Sequence, residues 1–400
     1  MRRTMNPYFY SWTKQISPLH FEVASAVNDE FILPDGRRVY DFVSTSFQAN
    51  FGHQFQPIID RIRRQLSAMP IASPKASFEL KRRVSDQLDQ FIRLEPGKIF
   101  YTVSGAESVE NALKIARQVS GRKVILARQK SYHGASLGAL SVTGDWRNDP
   151  HLTYDEGTVR IPEHNEDPSL EKTREIINSV GSDNIAGVIL ETISGTNGMS
   201  IPPVQWFAGI QELCREHNIV LIIDEVLVGF RRCGSDFAFH KYGIKPDMIC
   251  LSKAISGGYV PFGAVWTSPS IAEYYDNEVL CCGLTNYAHP LGLAALEGVL
   301  TTLQDSEFQN QMTQLETCFA DQLSQLERRP DVVELRLAGL MAAIYFDHAA
   351  PEWKQAIDAG LHLYSKENMT ILAPPYVSTP ERLRQAIATF KTLLPTNQIA

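Results

Sequence analysis

Asp224 and Lys253 are the residues whose type and spacing best suit them to chemistry. Asp224 closes the apolar run Ile219-Val-Leu-Ile-Ile, and Lys253 follows Met248-Ile-Cys-Leu after a single serine. Short apolar runs between polar turns read as buried parallel strands, and a ligand meets such strands at their carboxyl ends. An amine there condenses with an aldehyde if its surroundings keep it neutral. A carboxylate beside a heteroaromatic nitrogen keeps that ring protonated, which makes it an electron sink. Either residue alone reads as a helix cap or a surface lysine. The ordered set of strand, acid, strand, lysine and the loop Ser256-Gly257-Gly258 argues for a site.

The elements that must position these two residues alternate along the chain. Ala186-Gly-Val-Ile-Leu-Glu191 reads as a strand, Trp206 to His217 as a helix with apolar Phe207, Ile210 and Leu213, and Ile219 opens the next strand. Such alternation means a parallel sheet covered by helices. Upstream, Val103-Ser104-Gly105-Ala106-Glu107-Ser108 follows the strand-like Lys98-Ile-Phe-Tyr-Thr and opens a helix. A small-residue turn at a helix start offers free N–H groups and a positive dipole end to an anion, although an ordinary capped helix has the same sequence. Tyr132 follows the strand-like Val124-Ile-Leu-Ala, where its ring could stack on a flat ligand; the adjacent His133 alone reads as structural. Phe31 to Phe42 reads as two short strands joined by Asp35-Gly36, Phe308 to Leu326 as a long amphipathic helix, and Met341 to Phe346 as a strand.

Leu221-Ile-Ile-Asp-Glu-Val-Leu-Val-Gly-Phe-Arg-Arg-Cys-Gly234, with Leu251-Ser-Lys-Ala-Ile-Ser-Gly-Gly-Tyr-Val-Pro-Phe-Gly263, resembles the signature of class III pyridoxal-phosphate aminotransferases, and the resemblance covers nearly the whole chain. It implies an α/β fold of fold type I, with a mostly parallel sheet covered by helices. A small α+β domain would come from residues 1–50 and 301–400, and the large cofactor-binding domain from 51–300. By the same resemblance the cofactor is pyridoxal 5'-phosphate. Lys253 would carry it as a Schiff base, Asp224 would face its pyridinium, and Val226 and Tyr132 would take its two faces. Ser104, Gly105 and Ala106 would hold its phosphate, and Glu191 would support the site or serve as an ordinary structural carboxylate. Thr285 would reach the phosphate in a neighbouring subunit, which implies a homodimer with shared sites. Trp12-Thr-Lys-Gln15 and the segment from Asp41 to His53 resemble taurine–pyruvate-like members, so Trp12 and Phe47 would line the substrate entrance; a core role for Phe47 stays open.

Two departures bear on substrate. Many relatives carry a glutamate five positions after the one matching Glu191, and here that position is Thr196. The arginine that grips a substrate carboxylate is not visible before Pro374-Pro375, and Arg382 and Arg384 read as a solvated helix face. Leu227 stands where many relatives have glutamine. The resemblance then implies an ω-amine or amino acid as donor and a small keto acid such as pyruvate as acceptor. Aminomutase, racemase and decarboxylase chemistry share these motifs, and a non-catalytic interaction subunit is the alternative of another kind. Four hundred residues with 44% hydrophobic content can bury a large core, and a net charge of -7 offers no basic footprint for nucleic acid. No apolar run is long enough to span a bilayer, and the six scattered cysteines form no zinc pattern. The expectation is a cytoplasmic protein with reduced thiols and no membrane partner.

Overall fold

The computed structural model describes residues 7–151, 157–195 and 197–395. Its centre is a seven-stranded sheet. Across the sheet the strands run Lys98–Thr102, Gly263–Thr267, Met248–Leu251, Val220–Asp224, Ile185–Glu191, Val124–Arg128 and Thr158–Ile161. The last five pair in parallel, whereas Gly263–Thr267 is antiparallel to both its neighbours. Alternate side chains feed two separate cores. Leu221, Ile223, Ile249 and Leu251 enter one, and Ile222, Met248 and Cys250 enter the other. Burial on both faces explains why these strands read as unbroken apolar runs.

Register fixes the level of the site. Glu191 pairs with Asp224, and Asp224 with Cys250, so three adjacent strands end together and Lys253 follows three residues later. Helix Gly105–Ser120 packs across these strands through Val109, Ala112, Leu113 and Ala116, all buried.

Two four-stranded sheets stand beside the large one. Ser25–Val27, Glu30–Ile32 and Arg38–Asp41 form an antiparallel meander, which Leu361–His362 joins in parallel, opposite Tyr40 and Asp41. The expected Asp-Gly turn lies in this meander, with Gly36 at φ +86°. The other sheet, Val332–Ala338, Met341–Phe346, Met369–Leu372 and Tyr364–Lys366, is antiparallel throughout. The expected long helix is Ser306–Glu327, capped by Asp305, and it buries Phe308, Met312, Leu315, Phe319, Leu323 and Leu326. Arg382 is not simply solvated, because its guanidinium pairs with Glu30. All six cysteines are free.

Candidate active site

A cavity of about 970 Å³ opens over the carboxyl ends of the central strands. Its floor brings together most of the residues singled out in the sequence: Gly105, Ala106, Tyr132, Glu191, Asp224, Val226 and Lys253. Lys253 has a left-handed backbone (φ +49°), and its Nζ lies 5.7 Å from the centre of the Phe47 ring. Burial pushes its amine down to about 8, against the opposing pull of Asp224 and Glu191. A neutral, nucleophilic amine is therefore within reach near neutral pH.

Asp224 is buried and fully engaged. Its Oδ1 accepts the backbone N–H of Val226 at 3.0 Å, and its Oδ2 lies 2.7 Å from Nδ1 of His133, itself buried. The imidazole orients the carboxylate, a role the sequence did not disclose because the partners are 91 residues apart. Glu225, next in sequence, points away from the cavity and accepts from Ala238 N, Phe239 N and Thr192 Oγ1. Glu191 ties two loops together, accepting from Tyr132 N at 3.2 Å and Gly195 N at 3.4 Å. Burial raises its carboxyl above the usual range, with His133 and Arg128 pulling the other way.

The helix Gly105–Ser120 begins at the cavity wall. Ser104 caps it, its Oγ accepting from Glu107 N at 3.2 Å, while Glu107 accepts from Val103 N at 2.9 Å. The serine faces its own helix rather than the cavity, whose wall starts at Gly105. The first N–H groups of the helix have no intrahelical partner and suit an anion. A Cβ at Gly105 would come within 2.8 Å of Val226 Cγ1, so this close approach requires glycine.

The outer wall holds residues that the sequence did not flag. Arg147 pairs with Asp145, and its guanidinium carbon lies 4.5 Å from the centre of the Tyr132 ring, 5.0 Å from Trp12 and 5.2 Å from Trp146. Aromatic faces of this kind hold a cation in place. The pair Trp146-Arg147 in a polar turn was the available signal. Tyr364 and Lys366 enter from the C-terminal sheet, and His362 from the short strand beside Asp41. Trp12 is 56% exposed at the rim, whereas Phe47 both lines the cavity and belongs to the main core. Leu227 lines it too, packed so closely on Gly195 that a Cβ there would lie 2.2 Å from Leu227 Cδ1. Thr285 is exposed on the loop before helix Pro290–Gln304 and is not part of this chain's own cavity. Thr196 lies outside the described residues. Among the described residues no group of acidic, histidine or cysteine side chains could hold a metal, and no helix is long and apolar enough to cross a membrane.

These features fit a flat, phosphate-bearing heteroaromatic aldehyde. A helix start suits the phosphate, Val226 and Tyr132 stand near the acid Asp224, and a desolvated lysine completes the floor. The comparisons agree. The aminotransferase class-III family model matches residues 12–394. The taurine:2-oxoglutarate aminotransferase of Bifidobacterium kashiwanohense, solved with PLP and glutamate, is 30% identical, with a TM-score of 0.90 over 96% of this chain and 94% of that one. An omega-aminotransferase of Caulobacter vibrioides is 28% identical over 93% of both chains. A beta-alanine–pyruvate aminotransferase of Pseudomonas aeruginosa is 30% identical over 77% of this chain and 75% of its own. With a model match over nearly the full length and a site whose lysine, acid and helix start suit the cofactor, the chain belongs to the class-III aminotransferases, enzymes that move amino groups with pyridoxal phosphate.

Proposed function

We propose that the enzyme takes its amino group from an ω-amine with an acidic far end, such as taurine or β-alanine, and passes it to a small keto acid such as pyruvate. The observation that carries this reading is the cavity itself, with Lys253 and Asp224 at its floor and Arg147, framed by Trp12, Trp146 and Tyr132, at its outer wall. When bound, the cofactor supplies an aldehyde carbon that links to amines and a protonated ring that draws electrons from the bond to be broken. The protein does the rest. Asp224, oriented by His133, keeps the ring nitrogen protonated. Lys253 Nζ would take up the proton of the substrate carbon that bears nitrogen and give one back as the amino group is transferred. Gly105 and Ala106 would hold the phosphate by backbone N–H groups, Val226 and Tyr132 would confine the ring, and Glu191 fixes the Tyr132 loop. Trp12 and Phe47 bound the donor.

Arg147 lies far in sequence from the Pro374-Pro375 segment, where no carboxylate-gripping arginine is visible, yet it lines the cavity and could take that part. Its charge is already shared with Asp145, so it offers a seat to one acidic group. A dicarboxylic acceptor needs a second cation, and besides Lys253 the only other lysine or arginine lining the cavity among the described residues is Lys366, which is 45% exposed. A buried carboxylate left unpaired costs several kcal/mol, which favours pyruvate over 2-oxoglutarate. The names of two relatives support ω-amine donors and differ on the acceptor. Measuring kcat/KM for both acceptors with β-alanine as donor decides the point. We expect pyruvate to lead; a clear preference for 2-oxoglutarate would mean that Arg147 and Lys366 together anchor it. We further place the enzyme in the cytoplasm as a homodimer in which Thr285 reaches the other subunit's cofactor phosphate, a reading that its exposure supports.

A further inference from the structure

Ser44–Phe47 makes one turn in which every residue has a left-handed backbone, with φ of +45°, +47°, +62° and +66°. None of the four is glycine, and each L-residue costs roughly 1–2 kcal/mol in that conformation. Such a turn persists only where its surroundings hold it. Ser44 Oγ donates to Ala373 O at 2.7 Å and accepts from the Arg232 guanidinium at 3.0 Å. Thr45 Oγ1 donates to Asp41 Oδ2 at 2.7 Å.

Asp41 is wholly buried, and the nearby Thr45 and His53 and the distant His362 converge on its carboxylate. Its Oδ1 lies 3.0 Å from Nδ1 of His362, and its Oδ2 lies 3.5 Å from Nε2 of His53. Phe31 packs its ring against both imidazoles, at 4.8 Å and 5.6 Å between centres. Burial alone would raise this carboxyl, but the hydrogen bond to His362 and the nearby imidazole of His53 outweigh it and hold it well below the usual range. The turn presents Ser46 and Phe47 to the cavity, Phe47 beside Lys253.

We propose that Asp41 is a positioning residue for amino transfer: its carboxylate, shared by Thr45, His53 and His362, holds the left-handed turn that sets Ser46 and Phe47 against the donor. The proposal rests on the reading of Phe47 as a wall of the donor pocket. A carboxylate that merely satisfied two half-buried histidines would be indifferent to the handedness of the turn. Glycine adopts that backbone without penalty, so it should replace the tether.

The test uses the holoenzyme. Loss of a charge-assisted hydrogen bond should speed hydrogen exchange of residues 42–50 about tenfold in Asp41→Asn and raise KM for β-alanine by a similar factor, leaving kcat and the visible cofactor band near wild type. Adding Thr45→Gly should restore both exchange and KM. Unchanged exchange in Asp41→Asn, or a glycine that fails to restore it, overturns the proposal. Should Asp41→Asn not fold, Thr45→Val removes the tether without touching the carboxylate, and Ser46→Gly serves as its rescue with hydrogen exchange alone as the readout, since Ser46 itself lines the cavity. Phe47→Ala separates the two readings: an unchanged donor KM in that variant would sink the pocket assignment, while exchange still judges Asp41.

Discussion

At the scale of the residue, the site works by desolvation set against hydrogen bonding. Asp224 is buried but engaged at both oxygens, whereas Lys253 has no ion-pair partner among the described residues and its amine is held down to about 8 from 10.5. Between those values the unfolded chain keeps a proton that the folded chain has shed, so unfolding free energy rises with pH across that window. Below it the cofactor-free protein bears the full cost of a buried ammonium, on the order of 3 kcal/mol. Lys253→Met keeps much of the shape and removes the charge. It should therefore melt higher than the wild type in cofactor-free form at pH 7, with the gain shrinking toward pH 10. Thermal melts at the two pH values check this, and a gain independent of pH would show that the amine is not desolvated. Lys253 and Asp224 were legible because a local pattern, an apolar run ending in a polar residue, marks a strand end. His133 and Arg147 were not, since their significance comes from partners that only folding supplies.

At the scale of the element, the helix Gly105–Ser120 and the residues after Asp224 meet with no room to spare. The added methyl of Gly105→Ala would force Val226 from its place, and overpacking of this kind costs roughly 1–3 kcal/mol. Because the displaced residue would support the cofactor, the loss should appear as weaker retention of pyridoxal phosphate, by about tenfold for each 1.4 kcal/mol. Titrating cofactor-free protein and following the visible band measures it; wild-type affinity would show that Val226 does not support the cofactor. Several elements were readable, among them the strands Lys98–Thr102 and Met341–Phe346 and the helix that runs Ser306–Glu327, because burial on one or both faces writes a period of two or of 3.6 into the sequence. Nothing local marks the Ser44–Phe47 turn. Its four residues include no glycine, and what holds it comes from Asp41, Arg232 and Ala373.

At the scale of the whole molecule, the division we propose, residues 51–300 against 1–50 and 301–400, is supported by the strand pairing of Leu361–His362 with Tyr40 and Asp41. In the proposed homodimer, Thr285→Ala should weaken cofactor retention while leaving kcat at saturating cofactor near wild type. Light scattering and cofactor titration check the two halves of that statement, and a fully active monomer would refute it. The same strand pairing carries a consequence for biosynthesis. Lys253, Asp224 and the helix at Gly105 are complete once about two thirds of the chain has left the ribosome, but the strand that meets Asp41 and the wall at Tyr364 arrive near the end. Contacts between distant stretches also form slowly, since a long loop must close before they give any return. A newborn chain thus carries the lysine, the acid and the helix start of the cavity floor before the segments at His362 and Tyr364 that close its wall.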